Sequence, residues 1–265
     1  MMQVPLNPGI RGGRSAYLRP ICGLDEAFVD GTDFFEAVAF LDRLLVEAPG
    51  TTVGPGRASE LTVCDFDRLF ANIYLQYFGK RIESTATCRG CGNPFDLSID
   101  FPNLIRHLDR QTERKATGPD EEGIYSLPDG RRFRLPTIGD QQSVTDLETD
   151  RAVDELLERC MVEGDPRQGP ELVQAAMEDV GPVVDFDLDA ACPECGETQT
   201  VRFEIQAYLL RTLAHEKRFL NHEVHRIAMA YGWGYEEILS LTREDRRSFV
   251  RLIETDHAAR RPIRA

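Results

Sequence analysis

Two short stretches bound what this chain can fold into: "TCRGCGNPFDLSIDF" at residues 87–101 and "ACPECGETQTVRFEI" at residues 191–205. Each holds a Cys-x-x-Cys pair followed at once by Gly, then a run in which apolar and polar residues alternate. Counted from the second cysteine, Leu97, Ile99 and Phe101 fall at offsets +6, +8 and +10, and Val201, Phe203 and Ile205 fall at the same offsets. Alternation also precedes the pairs, with Ile82, Ser84 and Ala86 before Cys88 and Val184, Phe186, Leu188 and Ala190 before Cys192. A period of two marks a strand with one buried face. Each unit therefore reads as strand, cysteine knuckle, strand, and the two read as halves of one object.

A Cys-x-x-Cys turn can aim two sulfurs at one ion, and a closed zinc site takes four ligands in a tetrahedron, so one pair is half a site. The expectation is a shared structural Zn²⁺ on Cys88, Cys91, Cys192 and Cys195. The chain between the pairs is no obstacle, because it has only to return the second hairpin beside the first. Arg81, Arg89 and knuckle N–H groups are expected to offset the thiolate charge, and the glycine after each pair to let backbone fold close to the metal. Four sulfurs leave no position for water, so such an ion holds a fold and does not catalyse. A redox couple is the competing reading, but that chemistry places its pair at a helix start, and neither pair here opens an evident helix. Two separate reduced pairs, or a site without its metal, remain the bland alternatives. The other cysteines, Cys22, Cys64 and Cys160, bring the total to seven, an odd number in a chain too long for a disulfide-stapled miniprotein. All three are expected to be buried and inert, with Cys64 just ahead of a helix.

Around this centre the chain reads as α+β: a split four-cysteine zinc-ribbon β core with a hairpin and helical insertion, flanked by N-terminal and C-terminal helices. Residues 1–80 form an arm rich in Gly and Arg and then helices. Asp33 and Glu36 suggest a capping box for a helix presenting Phe34, Val38, Leu41 and Leu45, ended by Pro49 and Gly50. A second helix is expected from near Asp65 to Gly79. Residues 81–204 hold the split ribbon, interrupted over about 102–182. Inside the interruption, "GIYSLPDGRRFRLPT" reads as a hairpin turning at Pro128, Asp129 and Gly130. "DRAVDELLERCM" and "PELVQAAMEDV" read as helices, with "VEGDPRQG" as the loop between them. Residues 205–265 are helical. Ile205, Leu209, Leu213, Leu220, Val224, Ile227 and Tyr231 keep one apolar arc, "GWG" breaks it, "YEEILSLT" is a short helix, and Thr242 with Asp245 caps a last helix before the basic tail "ARRPIRA".

Composition narrows the function. The formal charge of −14 argues against a general nucleic-acid binder, which must neutralise phosphates. The charge is uneven, since residues 205–265 carry eleven Lys or Arg against eight Asp or Glu. That suggests a partner-facing end, although solvated helix faces explain it equally well. The first residues lack the apolar stretch of a secretory signal and no run of about 18 apolar residues occurs, so a cytosolic chain without a membrane span is expected. "HEVH" at residues 222–225 places its histidines three apart, not the four a metalloprotease helix needs. They lie with His215, Arg211, Arg218 and Arg226 opposite the apolar arc. No phosphate loop and no nucleophile or acid–base constellation is evident, so no enzyme is expected and no small-molecule substrate. Trp233, the lone tryptophan, reads as a core plug for its turn, with an interface anchor the sharper alternative.

"LTVCDFDRLFANIYLQYFGKRIESTATCRGCGNPFDL", "FRLPTIGDQQSV" and "HEVHRIAMAYGWGYEEILSLTREDRRSFVRLI" together resemble the T4-type phage baseplate family of hub-assembly proteins, which has relatives in contractile injection systems. The likeness runs in order over most of residues 17–255. It implies a structural or chaperone-like component of a tail baseplate, without catalytic residues, whose partners are other hub or wedge proteins. Its location would be the bacterial cytoplasm during assembly, with retention in the finished baseplate open. The candidate docking residues are Arg211, Arg218, His222, Trp233, Arg246, Arg247 and Arg251. The alternative is a zinc-ribbon nucleic-acid or transcription-associated module, and the third reading is a thiol oxidoreductase.

Overall fold

The computed structural model describes residues 1–10, 13–49, 51, 53–108 and 115–259, and the protein is α+β. The N-terminal arm is a hairpin of β1 (Met2–Ile10) and β2 (Gly13–Leu18), pairing Met2 with Leu18 and Val4 with Ala16. The sequence suggests only an arm rich in Gly and Arg here, with no strand. Even so, Val4, Leu6, Ala16 and Leu18 point one way into the core. An unexpected short helix, α1 (Gly23–Phe28), comes next. In α2 (Phe34–Leu44), Asp33 accepts from the Glu36 N–H at 2.9 Å as expected. The reciprocal half of that box is missing, because the Glu36 carboxylate turns instead to the N–H groups of Asp30 and Gly31. The helix ends at Leu44, well before Pro49; Gly50 lies outside the described residues.

A 3₁₀ turn at Ala58–Glu60 leads to α3 (Val63–Tyr77), which starts two residues earlier than its pattern suggested. Thr62 is the reason: its hydroxyl accepts from the Asp65 N–H at 3.3 Å, and this places Cys64 inside the first turn. The first ribbon unit follows as β3 (Arg81–Thr87) and β4 (Pro94–Asp100), paired without a slip from Arg81↔Asp100 to Thr87↔Pro94. Phe101 does not continue the strand. It opens α4 (Phe101–Leu108).

In the insertion, β5 (Ile124–Ser126) and β6 (Arg132–Arg134) form the expected hairpin, closed by the Gly130 N–H on the Leu127 carbonyl at 3.0 Å. Thr137 and Asp140 cap α5 (Ile138–Val144), then comes α6 (Thr149–Cys160). Met161, read as the end of that helix, and the next two residues instead form β7 (Met161–Glu163), a third strand beside β6. After α7 (Pro170–Val180), the second ribbon unit is β8 (Asp185–Ala191) and β9 (Thr198–Glu204), again in one register. Ile205, the counterpart of Phe101, likewise opens a helix, α8 (Ile205–Tyr231). The helices α9 (Tyr235–Ser240) and α10 (Arg243–Ala259) complete the described chain, and residues 260–265 of the basic tail lie outside it.

The largest core draws on all of these parts: the β1–β2 hairpin, α2, α3, both ribbon units and the first turns of α8. Phe101 and Ile205, fully buried, seat the bases of the two ribbon hairpins in it. Two further clusters lie within the insertion and beneath the C-terminal helices. Of the predicted apolar arc on α8, Ile205 to Ile227 is buried, while Tyr231 is exposed.

Candidate metal centre

The sulfurs of Cys88, Cys91, Cys192 and Cys195 all lie within 4.8 Å of one another. Two cross-hairpin distances, Cys88 to Cys195 at 3.5 Å and Cys91 to Cys192 at 3.8 Å, set the scale. Sulfurs placed tetrahedrally about 2.3 Å from one ion stand about 3.8 Å apart. The donor set and its spacing therefore fit a four-coordinate metal.

The two knuckles are built alike. The Cys88 N–H donates to the Asn93 carbonyl at 2.9 Å and the Gly92 N–H to the Cys88 carbonyl at 3.0 Å; Cys192, Glu197 and Gly196 repeat this at 2.8 and 2.9 Å. Gly92 and Gly196 have φ of +76° and +77°, the left-handed region, and a Cβ at either would meet no atom within 4 Å. Glycine is thus required for backbone conformation. Gly90 is the position where space matters, since a Cβ there would come within 3.2 Å of Glu197 and 3.6 Å of the Cys195 sulfur. Cys88 and Cys192 are buried and Cys91 and Cys195 exposed, so the cluster has one wet side.

The Cys88 thiol is lowered to about 7, chiefly by the Cys91 N–H and then, against burial, by the Gly90 N–H and the neighbouring thiols. The Glu197 N–H pulls Cys195 down, but hydrogen bonds shared with Cys88 and the other thiols outweigh it and push it up to about 12. Without an ion, Cys88 takes the charge most readily, and the Cys91 and Cys195 thiols are raised. Knuckle N–H groups supply the offset expected of them. Arg81 does not, since it starts β3, roughly 20 Å of strand away from the thiols.

Gln199 is the residue that sequence reasoning missed. From β9 it donates to the Thr87 carbonyl at 3.1 Å and accepts from the Arg89 N–H at 2.8 Å, so one side chain clips the second hairpin to the first knuckle. It occupies an inward position of an alternating strand, where an amide among apolar residues is the available signal. Around it, Phe95 and Ala190 pack on Cys88 and Cys192. The bases of the hairpins are tied as well. Asp67 of α3 accepts from the Val184 N–H at 2.8 Å and from Gln206 at 2.6 Å, and burial raises its carboxyl to about 6 against those two bonds.

No family model, no curated protein and no solved structure matches this chain.

The candidate docking residues are not all at the surface. Arg211, Arg218, His222 and Arg251 are exposed, as are His215 and His225. Trp233 is half-buried against Tyr231 and Phe249, at ring distances of 5.2 and 5.1 Å. Arg246 must be withdrawn, because it is fully buried. It pairs with Glu26 of α1 and with Glu223 of α8 at 3.1 Å, and donates to the Leu241 carbonyl at 2.9 Å. Arg243 and Arg247 join it, meeting Glu26, Glu216 and Glu223. Three arginines facing three glutamates make a charge-balanced cluster, with Arg243, Arg246 and Glu26 buried inside it and Arg247 half-exposed at its edge, so part of the apparent basic character of α10 is spent inside the protein. Cys22 also departs from expectation: it is half-exposed, with its thiol 3.2 Å from the Asp25 carboxylate. Cys64 and Cys160 are buried, and burial pushes both thiols up to about 12.

Proposed function

We propose that this chain is a structural or chaperone-like component of the baseplate of a contractile phage tail or phage-like injection system, braced by one structural Zn²⁺ on Cys88, Cys91, Cys192 and Cys195. The observation that carries the reading is the four-thiol cluster, which closes two hairpins about a hundred residues apart into one unit. A complete sulfur shell suits a brace and leaves no site for substrate. Zinc is preferred to iron because a plain tetrathiolate with no redox duty is its usual structural setting. The ordered likeness to baseplate hub-assembly proteins supplies the setting, and other hub or wedge subunits are the partners.

In this reading the ion keeps the scaffold in shape while α8 and α10 meet a partner through the exposed Arg211, Arg218, His222 and Arg251. Assembly takes place in the bacterial cytoplasm. The test is reconstitution of the baseplate from its co-expressed subunits, with metal analysis of the purified chain. One zinc per chain and co-purification with hub or wedge intermediates are expected, and mass spectrometry of finished particles distinguishes a retained subunit from an assembly factor. Unchanged assembly with Arg218→Glu and Arg251→Glu together would remove the docking face. A colourless chain with no bound metal would remove the brace, and DNA binding that weakens steeply with salt would replace the reading with a nucleic-acid module.

A further inference from the structure

The inward faces of the two ribbon hairpins do not close fully on each other. Ser84, Ala86, Leu97 and Ile99 of the first and Leu188 and Val201 of the second lie on those faces, yet all six are only half-buried. They line a cleft of about 350 Å³ between the hairpins, a size that takes a ligand. The free edge of β3 borders it. Cys88 donates to Asn93 of the opposite arm, and counting back by twos puts Ala86, Ser84 and Ile82 in the hydrogen-bonded pairs with β4. Arg81, Glu83, Thr85 and Thr87 therefore point their N–H and C=O groups away from β4. Three of those four carbonyls are taken by side chains: Arg81 by Tyr74 at 2.6 Å, Glu83 by Tyr208 at 2.6 Å and Thr87 by Gln199 at 3.1 Å.

Thr85 is left open. Its hydroxyl donates to Asp96 on the outer face at 2.9 Å, so what it turns to the cleft is a backbone donor and acceptor. Neither is hydrogen-bonded among the described residues, and an unpaired edge is a template for another strand. Arg211 also lines the cleft. It is exposed and makes no ion pair among the described residues, whereas Arg202 beside it is held by Asp185 and Glu204.

We propose that an extended segment of a partner protein docks in this cleft by adding to β3, and that its pattern is apolar, polar, apolar, then acidic. The middle residue, in an antiparallel pair, exchanges two hydrogen bonds with Thr85. Its side chain falls on the Thr85 side, and its two neighbours send theirs to the Ser84 and Ala86 side, into the cleft. The acidic residue beyond them meets Arg211. Main-chain bonds supply affinity, and the cleft and Arg211 supply selection. The inference rests on the docking reading at Arg211 alone and does not need the baseplate setting: peptide binding is read on the isolated chain, the setting on assembly.

The experiment titrates the full-length, zinc-loaded, isotope-labelled chain with the peptide Ser-Val-Thr-Val-Asp-Glu and its Ile and Leu analogues, reading amide shifts by NMR and affinity by fluorescence anisotropy. Shifts centred on Ser84–Ala86, Val201 and Arg211 are expected, with slowed exchange of the Thr85 N–H. N-methylation of the peptide's central Thr should weaken binding about tenfold, the equivalent of one net hydrogen bond. Arg211→Glu should weaken binding as well, and a peptide ending in Lys-Lys should restore it on that variant. Thr85→Pro removes the outward N–H without touching the β3–β4 ladder and should abolish binding; should that variant not fold, the N-methylated peptide decides. No shift at Thr85 with any of the peptides at millimolar concentration, or equal binding of the N-methylated form, would overturn the proposal. So would equal shifts with decanoate, which would make the cleft a small-molecule site, or shifts that depend on protein concentration without peptide, which would assign it to a second copy of the chain.

Discussion

Gly92 and Gly196 occupy the same torsional niche in two knuckles that share the Cys-x-x-Cys-Gly pattern. A side chain there meets no atom, so its cost is that of holding a non-glycine residue in the left-handed region, about 1–2 kcal/mol. Gly92→Ala or Gly196→Ala should therefore lower stability by about that amount in urea unfolding and weaken metal retention in a chelator competition. Arg246 gives a larger effect through a different cause. Truncation to Ala leaves Glu26 with Arg243 alone and Glu223 with Arg247 alone, so the cost is bounded by the about 3–5 kcal/mol of a broken buried pair. The exposed Arg251→Ala should stay within roughly 0.5 kcal/mol. A circular-dichroism urea titration of both variants checks the contrast. The glycines were legible as positions but not in their role, and Arg246 was misread outright. A helical projection does not show that α1 brings Glu26 to that face.

At the scale of elements, α3 organises the base of the ribbon. Its N-cap is Thr62, and Asp67 reaches both the first residues of the second ribbon unit and the start of α8. Burial raises Asp67 to about 6 from an ordinary 3.8, so the folded chain holds a proton that the unfolded chain has released between those values. The Asp67 contribution to stability consequently falls as pH rises through about 4 to 6, and the cost is complete above that window. Asp67→Asn keeps an acceptor for the Val184 N–H and removes the titration. Urea midpoints at pH 4.5 and pH 7 should change less in the variant, by a difference on the order of 2–3 kcal/mol at most. The elements that sequence reasoning lost are the ones whose partners are distant. β1, which the sequence suggests only as an arm, becomes a strand because β2 pairs with it and the core takes Val4 and Leu6. β7 is three residues long and is ordered by β6, a pairing no local pattern announces.

For the molecule as a whole, the ribbon is held at both ends, by the cysteine cluster at the tips and by Phe101, Ile205 and Asp67 at the base. Removal of metal should therefore loosen the tips first. Hydrogen exchange after chelation is expected to lose protection at Thr87–Phe95 and Ala191–Gln199 before α3 or α8, because metal binding is coupled to local folding while the core beneath does not use the ion. Equal loss across α3 and α8 would show that the brace supports the entire core. The described residues contain no helix long and apolar enough to cross a membrane. The sequence by itself determined the ribbon units, their four clustered cysteines, the insertion hairpin and most helices. Those depend on spacing and periodicity, which a chain carries locally. Only the tertiary structure decided that Gln199 clips the hairpins, and that Arg243 and Arg246 of α10 turn inward. Each of these is a contact between segments whose separation the chain does not encode residue by residue, and which packing alone brings together.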